Sequence, residues 1–234
     1  MPIRIALVFR RRLDLAALTS LLRADNGMEV VASIAAPEGA DDLGLDADCD
    51  IVILEPLQSA ATTVTLAKRM IRLGRAKGAI VLDRDFSVSR ARICLQAHGV
   101  CYLTRRLAAA DLIEAARQLL SGRLVMEVEG RVEVLFSATD AQRRLRRCDA
   151  TGVLQLSERE LQVMKLLSEG MTIEQAGKVL GIAESTVDNH RTRLKAKLKV
   201  RRTIDLAHIA LREGIASEWV RPAEAKPPAD QSPA

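Results

Sequence analysis

Residues 184–198 read Glu184-Ser-Thr-Val-Asp-Asn-His-Arg-Thr-Arg-Leu-Lys-Ala-Lys-Leu198. At about 100° per residue, Val187, His190, Leu194 and Leu198 fall within about 60° of one direction, which predicts an amphipathic helix with one face to pack. Ser185, Asp188, Asn189, Thr192 and Ala196 lie opposite, and side chains this short let a helix sit deep in a groove. The polar members match base edges of the DNA major groove. Asn189 suits adenine bidentately, Asp188 accepts from the cytosine amino group, and Thr192 bonds a base or touches a thymine methyl. Arg193, Lys195 and Lys199 flank this face at phosphate positions, and Arg191, at the edge of the packed face, is the fourth phosphate candidate. Residues 191–202 carry Arg191, Arg193, Lys195, Lys197, Lys199, Arg201 and Arg202 and no acid. The competing reading of such a run is a solvated basic face. Within it, His190 reads as a core histidine, and Lys197 as a stem laid over the core.

The surroundings of this stretch are helical. Ser157-x-x-Glu160 is a capping box opening an amphipathic run (Leu161, Met164, Leu167) that ends at Gly170. Thr172-x-x-Gln175 repeats the device before a short helix ending at Leu180-Gly181, and a three-residue turn leads into the basic helix. A fourth helix is predicted over Thr203–Arg212, stopping at Gly214. Two helices joined by a tight turn, the second long and basic, make a helix-turn-helix unit.

On these residues the segment resembles the LuxR/NarL/FixJ four-helix DNA-binding domain. The matching positions are Leu156-Ser-x-Arg-Glu-x-x-Val-x-x-Leu-Leu, Glu169-Gly, Ile182, Thr186-Val-x-x-His-Arg and Lys197-Leu-x-Val200. The wording Thr186-Val-Asp-x-His-Arg is most similar to the FixJ-like branch. The resemblance covers about fifty residues and implies a tetrahelical fold that binds duplex DNA as a dimer, often through its last helix. Ala183 departs from the Ser or Thr that the family usually places as N-cap of the reading helix, a loss of about 1 kcal/mol.

Residues 1–120 alternate short apolar strands with helical patterns. Strands are predicted at Ile3–Phe9, Met28–Ile34, Ile51–Leu54, Ala79–Leu82 and Val100–Leu103, with helices near Leu13–Arg23, Ala60–Leu73, Ser89–His98 and Ala108–Leu120. Strands this apolar must be covered on both faces, so the pattern predicts a doubly wound α/β domain on five parallel strands. Residues 121–152 read as a linker with a possible hairpin about Glu129-Gly130, a basic stretch Ala141–Arg147 and a loop Asp149-Ala-Thr-Gly152. The helix-turn-helix domain is placed at 153–218, and a disordered Pro- and Ala-rich tail at 219–234.

In layout, the first domain resembles the receiver of two-component response regulators. A working receiver is built on an acidic pair after strand one, a phosphate-accepting Asp ending strand three, a Thr or Ser after strand four and a Lys after strand five. Here strand one runs into Phe9 and Arg10, and Glu55, Asp83 and Arg105 stand at the other three positions. Arg10 replaces a cation ligand with a cation, so metal-assisted phosphoryl transfer is not expected. Either a Glu55–Arg105 or Glu55–Arg10 ion pair stands in for the phosphorylated state, or Glu55 merely ends a strand in a domain kept as a dimerisation scaffold.

Composition narrows the classes. At 234 residues and 48% hydrophobic, the chain has room for two cores, and its net charge is +5. One Trp, one Tyr and three Phe are too few for base-stacking platforms. Cys49, Cys94, Cys101 and Cys148 form no CxxC pair and read as buried thiols of a reduced compartment. Neither a leader nor an apolar run of about 18 residues is seen, which predicts a cytoplasmic location with no membrane contact. There is no Gly-rich phosphate loop, nucleophile–base pair or metal cluster, so no catalytic residue, metal or cofactor is expected. The partners expected are double-stranded DNA, a second copy of the chain, and a regulatory protein at the receiver-like domain. Two alternatives stand beside this: a regulator still phosphorylated at a non-standard residue, and a protein–protein adaptor whose basic helix is vestigial.

Overall fold

The computed structural model describes residues 1–36, 48–56, 60–128 and 130–216. The expected tail, Glu129 of the hairpin turn and the last two residues of the segment 153–218 lie outside the described residues.

Strand alternation sorts the N-terminal core into two layers. In β1 (Ile3–Phe9), β3 (Ile51–Leu54), β4 (Gly78–Asp83) and β5 (Val100–Thr104), the residues Ile5, Leu7, Ile51, Ile53, Ile80, Leu82, Cys101 and Leu103 point to one face. That face is covered by α1 (Arg12–Arg23) and α4 (Ala109–Leu120) through Leu15, Leu22, Leu112 and Leu119. Ala6, Val8, Val52, Leu54, Val81 and Tyr102 point the other way, under α2 (Ala60–Arg72) and α3 (Val88–Leu95). With both faces covered, polar residues have no wet side to occupy, hence the unbroken apolar runs.

The strand order is β2-β1-β3-β4-β5-β6-β7, with β2 at Met28–Ala35. The expected five strands are therefore seven. β6 (Leu124–Val128) pairs parallel with β5 at Tyr102 and Met126, and β7 (Arg131–Leu135) pairs antiparallel with β6. The hairpin turns at Gly130, whose φ of +77° suits glycine. Glu127, buried on β6, accepts from the Thr104 backbone N–H at 2.6 Å and its hydroxyl at 3.0 Å. A carboxylate thus satisfies a donor that a longer ladder would have used. α5 (Ala138–Cys148) continues the layer of α2 and α3 through Ala141 and Leu145. Residues 124–148, expected within a linker, accordingly form two strands and a helix of this layered sheet.

Asp149 then folds the chain over, accepting from the backbone N–H groups of Gly152, Val153 and Leu154. A 3-10 turn (Val153–Gln155) leads to α6 (Glu158–Ser168), α7 (Ile173–Leu180), α8 (Glu184–Lys197) and α9 (Thr203–Arg212). Both capping boxes form, at Ser157/Glu160 and Thr172/Gln175. Val163, Met164, Ala176, Val187, Leu194, Leu198, Leu206 and Ala210 make the core, each large one contributing about 1.5–3 kcal/mol by burial. Among the described residues no helix is long and apolar enough to cross a membrane.

Candidate nucleic-acid interface

The turn before α8 is set by two glycines. A Cβ on Gly177 would stand 2.9 Å from the Ile182 carbonyl oxygen, so α7 and the turn can approach only with glycine there. Gly181 closes α7 in the left-handed region (φ +64°), and Ile182 N–H returns to the Gly177 carbonyl at 3.0 Å. Ala183 caps α8 with no side-chain bond, as its sequence requires.

Val187 and Leu194 are fully buried, and this fixes the rotation of α8. Ser185, Asn189, Thr192 and Ala196 are consequently exposed, and His190 is half-buried. Asp188 is also half-buried and forms an ion pair with Arg191 one turn on, so both side chains already have a partner within the helix. Arg193 and Lys199 are exposed and Lys195 half-buried, none of them ion-paired among the described residues. Lys199 has φ 55°, the left-handed conformation in which Lys195 and Ala196 carbonyls take the next N–H groups. Lys197, though exposed, reaches back to α6 instead, its Nζ 2.7 Å from Glu160 and 3.2 Å from the Gln155 carbonyl. Burial alone would raise the Glu160 carboxyl, but the bonds from Lys197 and Ser157 hold it below the usual range. Lys197 is a tie between α6 and α8.

The positions expected to differ from a working receiver make a second polar centre. Buried Glu55 accepts the Arg10 backbone N–H, with Arg10 Nε at 3.4 Å, and Arg105 Nη2 stands 2.9 Å from its other oxygen. Both expected ion pairs form at once. Arg105 also reaches Asp14 at 2.7 Å and lies over the Phe9 ring. A divalent cation does not fit this set, because Glu55 and Asp14 are both engaged by guanidinium groups and Arg10 adds a further positive charge. Asp83 is not brought to Glu55. Its carboxylate accepts the Tyr102 hydroxyl at 2.6 Å and forms an ion pair with Arg90, whose Nε stands at 2.7 Å. Burial, then the adjoining Asp83 charge, pushes the Tyr102 hydroxyl far above the usual tyrosine range.

Sequence reasoning missed Ser87, Arg90, Tyr102 and Glu213, which meet where the two domains touch. One signal was present: Glu213 follows the last turn of α9, where a negative charge opposes the helix dipole and calls for a partner elsewhere. Cys49, Cys94 and Cys101 are buried and free as expected, whereas Cys148, at the end of α5, is only half-buried; burial pushes the thiols of Cys49 and Cys94 up to about 11 and about 12.

Residues 154–210 match the model of bacterial regulatory proteins of the luxR family. The response regulator UvrY of Escherichia coli is 22% identical over 213 residues, covering 91% of this chain and 95% of that protein. The transcriptional activator ExaE of Pseudomonas putida is 30% identical over 163 residues, 69% of this chain and 72% of that one. A structure of two RcsB dimers bound to two parallel DNAs superposes with a TM-score of 0.60 at 18% identity, covering 91% of this chain and 99% of that one.

Proposed function

This chain belongs to the luxR family of bacterial regulatory proteins and has the two-domain build of a response regulator; from that premise we propose that it controls transcription by sequence-specific binding of duplex DNA, as a homodimer and without phosphorylation. The observation that carries the reading is the outer face of α8. Asn189, Thr192 and Ser185 stand exposed on a helix anchored by Val187 and Leu194, with Arg193, Lys195 and Lys199 beside them unneutralised. Asn189 and Thr192 read base edges, Ser185 assists at the N-terminal end, and the three basic residues hold phosphates. Arg191 orients Asp188, which leaves Asp188 to select against bases that cannot donate to it. A stripe of Ile204, His208 and Leu211 is exposed on α9 at helical spacing and suits pairing with a second copy.

Phosphorylation independence is supported by the closed pocket about Glu55. Phosphoryl transfer uses a cation to neutralise the migrating group, and here two arginines already neutralise the carboxylate. Incubation with acetyl phosphate and Mg²⁺ should leave the intact mass unchanged, and wild-type chain should recover one sequence from a random duplex pool with or without that treatment. A phosphoryl group on Glu55 or Asp83, or recovery only after treatment, would overturn it.

A further inference from the structure

The reading helix does not account for all of the unpaired basic charge. Ala141-Gln-Arg-Arg-Leu-Arg-Arg147 holds four arginines in seven residues and no acid. On α5 they divide by helical spacing. Ala141 and Leu145 enter the core, and half-buried Arg144 pairs with Glu133 at 3.3 Å. Arg143, Arg146 and Arg147, at i, i+3 and i+4, share the exposed face, and none of them is ion-paired among the described residues. The acid that follows α5, Asp149, is already engaged by the backbone N–H groups of Gly152, Val153 and Leu154.

The fold brings this face beside the reading helix. The turn after Asp149 lies against the C-terminal end of α8. A Cβ on Gly152 would meet the Lys197 carbonyl oxygen at 3.1 Å, and Lys197 Nζ donates to the Gln155 carbonyl at 3.2 Å. Gly152 is five positions past Arg147, so their Cα atoms stand no more than about 18 Å apart. Lys199, a phosphate contact in the reading above, lies two positions past Lys197. The C-terminal domain also docks on the side of the sheet that α3 and α5 cover. Leu154 packs into the core beneath them, and buried Glu213 receives the Ser87 hydroxyl at 3.0 Å and the Ser89 backbone N–H at 3.2 Å at the start of α3. Resting on the DNA-binding reading above, we propose that the exposed face of α5 is a second phosphate-binding surface. Arg143, Arg146 and Arg147 hold the duplex backbone outside the bases that α8 reads. Such contacts add affinity without sequence preference, because phosphates are alike in every sequence.

The test uses the full chain carrying Arg143→Gln, Arg146→Gln and Arg147→Gln together, checked by circular dichroism. A second variant, with Arg143→Lys, Arg146→Lys and Arg147→Lys, keeps the charge. The probes are the duplex that wild type selects from a random pool, either cut back to the selected bases or extended by one helical turn, about 10 base pairs, on each side. On the extended duplex the glutamine variant should bind about tenfold more weakly than wild type at physiological salt. Its slope of log affinity against log salt should flatten by about two to three units. The lysine variant should keep the wild-type slope. On the cut-back duplex all three proteins should agree, and all should select the same sequence. An unchanged slope on the extended duplex would leave Arg146 and Arg147 as charges that only answer the α5 dipole, and would overturn the proposal. So would an equal loss on both duplexes, or wild-type binding to phosphatidylserine vesicles that the glutamine variant lacks while its DNA affinity is unaltered. Failure of wild type to select any sequence would instead sink the DNA reading itself, and the second surface with it.

Discussion

Around Glu55 every charge is answered from within: two arginines, a backbone N–H and, behind Arg105, Asp14 close the pocket on itself. Along α8, Arg193, Lys195 and Lys199 have no ion-pair partner among the described residues, and the short polar side chains between them face outward. Both regions carry charged residues on or beside regular elements, yet one has spent its charge on the fold and the other leaves it unpaired. The contrast teaches where to look for function: at charge the protein leaves unpaired rather than at charge it has already paired.

The largest effect is expected at α8. Replacing Asn189 and Thr192 together by alanine should weaken specific binding by about 3 kcal/mol, read by titration of the selected duplex, while binding to unrelated duplex changes little. Equal loss on both duplexes would mean the helix does not read bases. In the closed pocket, Glu55→Ala strands two guanidinium groups and should cost about 2 kcal/mol of stability in a denaturant titration. DNA affinity at a temperature where the variant is folded should stay put, and its collapse would show the pocket is not self-contained.

A pH titration sharpens the contrast inside the C-terminal domain. Glu160 is held below its ordinary value of 4.5, so its pairing with Lys197 contributes stability above that value, lost as pH falls through the lower folded value. The melting-temperature gap between wild type and Glu160→Gln should be widest near neutral pH and close on acidification below about 4.5. A gap independent of pH would deny the pair its charge. The smallest effect lies at Lys199, whose left-handed backbone costs a lysine about 1 kcal/mol relative to glycine. Lys199→Gly should stabilise the domain by that amount and flatten the salt dependence of DNA binding by about one unit. A stabilised variant with an unaltered salt slope would remove Lys199 from the phosphate contacts.

Much of this was legible beforehand because it is written in short periods. The four helices of the C-terminal domain and their capping boxes follow from spacings of three and four residues, and Val187 and Leu194 announced which side of α8 faces out. The first five strands were legible as apolar runs between turn residues. The hairpin at Leu124–Leu135 was visible as alternation, but alternation does not say which edge a hairpin will pair with, so its place in the sheet was not. Asp188 illustrates the same limit on a smaller scale: its spacing allowed a base contact, but did not say that Arg191 pairs with it inside the helix.

The sequence by itself determined two domains, their fold classes and the residues on the outer face of α8, since each depends on periodicity along a single element. Only the tertiary structure decided that Glu55 gathers both arginines, that Asp83 serves Tyr102 and Arg90, and that Glu213 is buried against Ser87 from 126 positions away. Those pairings turn on how finished elements dock, and a buried charge takes whichever partner the docking brings within hydrogen-bond reach.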